Sequence, residues 1–228
     1  MTRDVAELRA AAKGVYVIAP TPFHSDGRID EASIDRMTDF FLGAGVTGMT
    51  VLGQLGEAPK MTHDESVGIV KRVIARAKVP IVVGVSAPGF AAMKALTQDV
   101  MALGASGVMI APPNTLRTDD SIVQYYRQAA EAIGEDVPFV IQDYPLTFSV
   151  QMTPGVIRRI AAKPGADTPT TIGSFTRAST RFTIPTDSSC AILGASPSWP
   201  STVMPSTPAL RKKSVMRSMD DSSIRPSE

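Results

Sequence analysis

Five short apolar runs rich in β-branched residues recur along the first two thirds of the chain, at 15–19, 48–52, 81–85, 107–111 and 139–141. Their spacing is about 30 residues, the length of one strand–helix–strand unit. The runs are continuous rather than alternating, as expected for strands buried on both faces of a parallel sheet. A chain with this repeat has few folds open to it: parallel strands require crossovers, and the crossovers here read as helices.

Each gap carries a helical stripe with its own start and stop signals. Asp30 caps a segment with Ile34, Met37 and Phe41 at helical spacing, which ends near Gly43-Ala44-Gly45. Thr62-His63-Asp64-Glu65 is a capping box ahead of Val67, Val70, Val73 and Ile74. Ala92, Ala95, Leu96, Val100 and Leu103 form a third stripe, stopped by Gly104. Asp119 or Asp120 opens a fourth with Ile122, Tyr126, Ala129 and Ile133, closing at Gly134. Thr153-Pro154 opens a fifth with Val156, Ile157 and Ile160, with proline in the first turn where its missing N–H costs nothing. The order strand–helix, five times over, makes either a closed barrel or a doubly wound sheet.

The pattern stops near Lys163-Pro164-Gly165. From there to Glu228 nearly half of the residues are Ser, Thr or Pro, and apolar residues stand singly. Prolines at 164, 169, 185, 197, 200, 205, 208 and 226 break any long helix. The best strand candidate, Ala191-Ile192-Leu193, is too short to persuade, and Arg211-Lys212-Lys213 reads as a solvated basic cluster. The expected division is a partial barrel domain over 1–162 and a Ser/Thr/Pro-rich tail over 163–228, disordered by composition. The abruptness of the change suggests a sharper reading, out-of-frame translation of a gene whose correct product continues the barrel.

Composition narrows the function classes. The 228 residues suit one barrel at the short end of its range, where about 250 is typical. A net charge of +1 gives no field for a nucleic acid or an anionic membrane. No apolar run approaches the roughly 20 residues of a membrane span, and residues 1–13 lack the apolar core of a signal peptide. A single cysteine, Cys190, permits no internal disulfide and fits a reducing cytoplasm. His24 and His63 are the only histidines, and no Asp/Glu/His/Cys set has metal-ligand spacing, so neither metal nor cofactor is expected. Gly84-Val85-Ser86-Ala87-Pro88-Gly89 lacks the glycine spacing of a dinucleotide fingerprint, and Tyr125-Tyr126 on a helix read as packing.

In a barrel of this kind chemistry sits where strands end. Those ends read Ala19-Pro20-Thr21-Pro22-Phe23, Gly53-Gln54-Leu55-Gly56-Glu57, Gly84-Val85-Ser86, Ala111-Pro112-Pro113-Asn114 and Gln142-Asp143-Tyr144-Pro145. The second is the most informative. Two glycines three apart let backbone N–H groups turn toward an anion such as a carboxylate. Taken alone, the loop is better read as a tight turn, with Glu57 as a loop-fixing acceptor.

Taken together, these motifs resemble the dihydrodipicolinate synthase and N-acetylneuraminate lyase family: Ala19 to Phe23, then Asp26-Gly27-Arg28-Ile29-Asp30, the Gly-x-x-Gly-Glu loop, Thr62 to Glu65, Gly84-Val85-Ser86, and Pro138 onward to Ala161. The resemblance implies a (β/α)8 TIM barrel, of which this chain holds about five βα units plus an irregular tail. It implies lyase or synthase chemistry of the class I aldolase type, in which a strand-six lysine forms a Schiff base with pyruvate or a related 2-oxo acid. The glycine loop then grips the substrate carboxylate, and a tyrosine ending strand five relays protons. Homo-oligomers are common in the family.

Carried over by position, Gly53, Gly56 and Glu57 match. The hydroxyl-bearing pair between the family's glycines is Gln54 and Leu55 here. Strand five, normally Tyr-Asn-Val-Pro, is Gln142-Asp143-Tyr144-Pro145, so Gln142 stands at the tyrosine position and Tyr144 is the candidate substitute two residues on. Thr147 replaces an expected arginine, and Pro113-Asn114 a tyrosine pair. The substrate-binding candidates are therefore Gly53, Gln54, Leu55 and Gln142, and the candidate proton relay is Tyr144. These departures point away from dihydrodipicolinate synthesis and toward another 2-oxo acid. No apolar run ending in lysine follows Ala162, and Lys60, Lys163, Lys212 and Lys213 lack an apolar frame that would lower an amine's pKa. The alternative function is accordingly a non-catalytic, truncated or frameshifted barrel fragment with exposed strand edges.

Overall fold

The computed structural model describes residues 14–134 and 136–162, together with the backbone of two further strands, 172–175 and 190–192. Seven parallel strands form one sheet: β1 Tyr16–Ile18, β2 Gly48–Val51, β3 Ile81–Gly84, β4 Gly107–Ile110, β5 Phe139–Gln142, β6 Ile172–Phe175 and β7 Cys190–Ile192. Their order in space is their order in sequence. A doubly wound sheet reverses strand order at a switch point. No reversal occurs here, so the alternative left open by the repeat resolves to an incomplete barrel.

Alternation along the strands divides the core. Met49, Val51, Ile81, Val83, Val108, Ile110, Phe139 and Ile141 face the helices in one large apolar cluster, whereas Tyr16, Val82, Met109 and Val140 form a second, smaller cluster with Ile18 packed against it. The register Ile18↔Thr50↔Val82 and Met109↔Val140 keeps those inner residues on one face. Both faces are therefore buried, which explains why the strands read as continuous apolar runs.

The helices are α1 Glu31–Gly43, α2 His63–Arg76, α3 Phe90–Ala102, α4 Asp119–Ile133, the short α5 Pro145–Phe148, and α6 Pro154–Ala161, with a 3-10 turn at Ala58–Lys60. Asp30 caps α1 by accepting from the Ser33 N–H. Thr62 and Glu65 close the expected capping box on α2, and Thr153 caps α6 ahead of Pro154. On α4 the cap is Thr118, in a reciprocal pair with Ser121, rather than Asp119 or Asp120. The hydroxyl one residue earlier reaches the free amides, and the two aspartates instead place charge in the first turn, where the helix dipole favours it.

The α3 stripe also differs from the sequence expectation. Its buried residues are Met93, Thr97 and Val100, with Leu96 partly buried, while Ala92 and Ala95 are exposed. Alanine counts as apolar in a periodicity but gains little from burial, so it marks a helical face poorly. Neighbouring helices pack in chain order, α1 on α2, α2 on α3, α3 on α4 and α4 on α6. Between α1 and α2, Arg72 makes a two-pronged pair with Asp35 and Arg76 another with Asp39, and these hydrogen bonds hold both carboxyls below the usual range.

Strands β6 and β7 lie in the stretch that composition marked as irregular. Gly173 and Ser174 interrupt any apolar pattern in β6, whereas β7 overlaps the Ala191-Ile192-Leu193 candidate, whose shortness makes its signal weak. The rest of 163–228, with its prolines, basic cluster and Lys163, Lys212 and Lys213, lies outside the described residues. Among the described residues no helix is long and apolar enough to cross a membrane.

Removing the α2 cap tests the local reading. Thr62→Ala deletes one capping oxygen and should lower stability by about 1 kcal/mol, measured as a shift of the urea midpoint at constant slope.

Candidate active site

All strands run the same way, so the segments following β1 to β5 gather at one end of the sheet. The segment after β2 is built from backbone constraints. Leu52 takes a left-handed conformation with φ 56°, and Glu57 does so with φ 55°. Each costs on the order of 1–3 kcal/mol in a non-glycine residue and persists only where its surroundings enforce it.

Two glycines admit the close approach that this conformation needs. A β-carbon on Gly84 would overlap the Leu52 carbonyl oxygen, so β3 approaches the loop more closely than any side chain permits. At Gly56 a β-carbon would stand 3.0 Å from the Leu52 nitrogen and 3.3 Å from the Ala19 oxygen. The loop closes through Gly56 N–H to Gly53 C=O at 3.0 Å and Glu57 N–H to Gln54 C=O at 3.2 Å. The buried Thr21 hydroxyl donates to the Gly56 carbonyl at 2.6 Å, which ties the loop to the segment after β1.

This geometry leaves a run of consecutive amides undirected. Among the described residues, the N–H groups of Gly53, Gln54 and Leu55 donate to no acceptor. Gly53 is buried, and an orphaned N–H in a buried residue is uncommon. Consecutive free amides in a turned backbone form a concave anion-binding surface. The side chains of Gln54 and Leu55 are exposed, Leu55 to 56 %. Glu57 pairs with Lys60 at 2.6 Å, which occupies both groups at the surface.

The other two candidates lie at and just past the end of β5. Gln142 is its last residue, half-buried, and pairs in register with Phe175 of β6. The strand ends there. Tyr144, also half-buried, stands at the N-cap position of α5 with φ −137° and ψ 75°. Strand alternation therefore does not extend from Gln142 to Tyr144. Neither side chain has a hydrogen-bond partner among the described residues. Lys60 closes the 3-10 turn at the surface. The four residues of β6 are Ile172, Gly173, Ser174 and Phe175, with no lysine among them. Among the described residues no three His, Cys, Asp or Glu side chains group closely enough to hold a metal ion.

Next to the candidates, the end of β4 is anchored by hydroxyls. Tyr126 donates to the Ile110 carbonyl at 3.2 Å, Tyr125 to the Ala111 carbonyl at 3.3 Å, and the Ser86 hydroxyl accepts from the Ala111 N–H at 2.8 Å. The tyrosine pair thus supports the strand end, consistent with a packing role. Burial pushes the Tyr125 hydroxyl up to about 12 and Tyr126 well above its ordinary value.

The dihydrodipicolinate synthetase family pattern matches residues 11–182, three quarters of the chain and beyond the expected domain limit at Ala162. The chain belongs to that family. A curated relative, the 4-hydroxy-tetrahydrodipicolinate synthase of Acidiphilium cryptum, is 30% identical over 154 residues, covering 66% of this chain and 52% of the relative. The trans-O-hydroxybenzylidenepyruvate hydratase-aldolase of Sphingobium xenophagum is 34% identical over 133 residues, covering 54% of this chain and 40% of the relative. Among solved structures, dihydrodipicolinate synthase from Rhodopseudomonas palustris is 55% identical, with a TM-score of 0.66 over 72% of this chain and 54% of that one. The chain spans about half the length of the curated relatives it matches.

Sequence reading names Thr21, Gly84 and Asp143 only within strand-end motifs and gives none of them a role. The Thr21 contact is non-local, across 35 positions, and the Gly84 approach is visible only in the packed sheet. Asp143, one residue past β5, stands where the family pattern has asparagine. Its Oδ1 is buried without a partner among the described residues, and burial pushes its carboxyl up to about 6. The folded state thus holds a proton that the unfolded chain releases near pH 4. The contribution of this one carboxyl to stability is fully present below about pH 4 and is lost as pH rises through about 6. The full shift corresponds to about 3 kcal/mol, and solvent screening of the half-exposed carboxyl reduces it to about 1 kcal/mol. Asp143→Asn should therefore stabilise the protein by about 1 kcal/mol at pH 7 and leave it unchanged at pH 4, as read from urea unfolding at both pH values.

Proposed function

We propose that this chain carries the carboxylate-gripping half of a Schiff-base lyase site for pyruvate or a related 2-oxo acid. The observation that carries the reading is the run of three undirected amides at Gly53, Gln54 and Leu55, on the loop that the family resemblance assigns to the substrate carboxylate. Main-chain donors suffice for a carboxylate, so the loss of the family's hydroxyl pair at Gln54 and Leu55 changes what surrounds the anion and not the ability to hold it. Gln142, at the end of β5, would contact the remainder of the substrate, with Tyr144 as proton relay.

The same reading makes this chain silent in covalent chemistry. Class I aldolase catalysis needs an amine that condenses with the 2-oxo carbon, loses water, and then accepts electrons from the breaking C–C bond. The strand in sixth place offers Ile172, Gly173, Ser174 and Phe175 instead. The chain is then a non-catalytic barrel fragment, and we read 163–228 as out-of-frame translation on its Ser/Thr/Pro-rich composition, against the continuation of the family pattern to 182. A shifted reading frame of the source gene that continues the barrel and supplies a strand-six lysine is the expected finding. The absence of any such continuation in either frame would overturn that account. Assembly into a homo-oligomer that covers open strand edges belongs to the same reading, as does a reducing cytoplasmic setting.

Borohydride trapping with pyruvate, followed by intact mass, separates the two halves of the proposal. The expected result is no adduct, alongside saturable pyruvate binding in ligand-observed NMR. A stable pyruvyl adduct would show that an amine elsewhere serves. Absence of pyruvate binding would remove the functional reading altogether.

A further inference from the structure

The undirected amides act as an anion site only if their backbone is held turned before the ligand arrives, since otherwise binding must supply the ordering. Within the loop, two turn bonds close the chain on itself, Gly56 N–H to Gly53 C=O and Glu57 N–H to Gln54 C=O. Both are local and tie the loop to nothing outside it, so they open readily unless the loop is held elsewhere. The flanking residues Leu52 and Glu57 are in the left-handed region, so relaxing either would relieve strain and turn the amides away. An external restraint is required, and the described structure has one directed hydrogen bond from a side chain to this loop's backbone, from the Thr21 hydroxyl to the Gly56 carbonyl at 2.6 Å.

Thr21 is itself fixed. It lies between Pro20 and Pro22, which restrict its own backbone and that of its neighbours. The preceding Ala19 donates its N–H to the Thr50 carbonyl of β2 at 2.8 Å, and the following Pro22 accepts from the Asp30 N–H at 2.9 Å. The side chain is only 7 % exposed, so water does not compete effectively for the bond.

We propose that Thr21 is a positioning residue. Its hydroxyl latches the Gly56 carbonyl to the rigid segment after β1 and so holds the Gly53, Gln54 and Leu55 amides in their anion-binding arrangement. The inference rests on the carboxylate reading for its ligand, and on the hydrogen bond alone for its mechanics.

Two variants and two readouts test it on the full chain. Thr21→Val keeps the shape and removes the hydroxyl, whereas Thr21→Ser keeps the hydroxyl and removes the methyl. Hydrogen exchange at the Gly56 and Glu57 amides should quicken about tenfold in Thr21→Val and stay near wild type in Thr21→Ser. Pyruvate affinity, read by ligand-observed NMR, should fall by a similar factor in Thr21→Val only. Unchanged exchange in Thr21→Val overturns the latch. So does exchange in Thr21→Ser that is as fast as expected for the valine variant, an arm that remains decisive if the valine chain does not fold. Faster exchange with unchanged pyruvate affinity overturns the positioning role. Faster exchange in a protein whose wild type binds no pyruvate supports the latch and overturns the carboxylate reading instead.

Discussion

Parallel pairing of each strand with its sequence neighbour is the constraint on which everything else in this molecule depends. A parallel ladder needs a crossover between every pair of strands, and each crossover from β1 through β5 packs as a helix on one side of the sheet. The concave face is then left to close on itself through Tyr16, Val82, Met109 and Val140. Because all strands point the same way, every segment leaving a strand emerges at the same end. The glycine loop, Gln142 and Tyr144 share that end through connectivity alone, before any of their side chains makes a contact.

The elements that share this end do different work. The Gly53 to Glu57 loop is positioned by backbone: two left-handed residues, a β3 glycine pressed against the Leu52 carbonyl, and one hydroxyl from the segment after β1. The β5 end is positioned by burial, with the strand stopping at Gln142 and Asp143 placed in a half-buried setting that disfavours its charge. The first arrangement is set by main-chain geometry. The second carries the titrating group, so acid would strengthen the β5 end without altering the donors on the loop.

Much of the fold is legible in the amino-acid order because burial on both faces writes itself as continuous apolar runs, and helix ends write themselves as caps. Asp30, Thr62 and Thr153 stand where local chemistry requires. Legibility fails where the determinant is not local. Thr118 and Asp119 are both acceptable caps, and only the observed geometry separates them. Ala92 and Ala95 fit a helical period yet lie outside the core. Strands β6 and β7 draw their hydrogen bonds from β5 and from each other, not from any pattern of their own. At the site, Gly84 could be read as permissive, but the need for it is set by the Leu52 carbonyl just past β2, 32 positions away.

A grip made of main-chain amides has a consequence for how such a site can diverge. An N–H is the same group whatever residue carries it, so positions 54 and 55 can drift through many side chains while the anion keeps its donors. Threonines, or glutamine and leucine, can occupy the same turn. What the rest of the substrate meets changes with each exchange, and the fixed end of the molecule does not. Under the proposed carboxylate reading the loop separates anchoring from selectivity, and one backbone can then serve acids that share only their carboxylate.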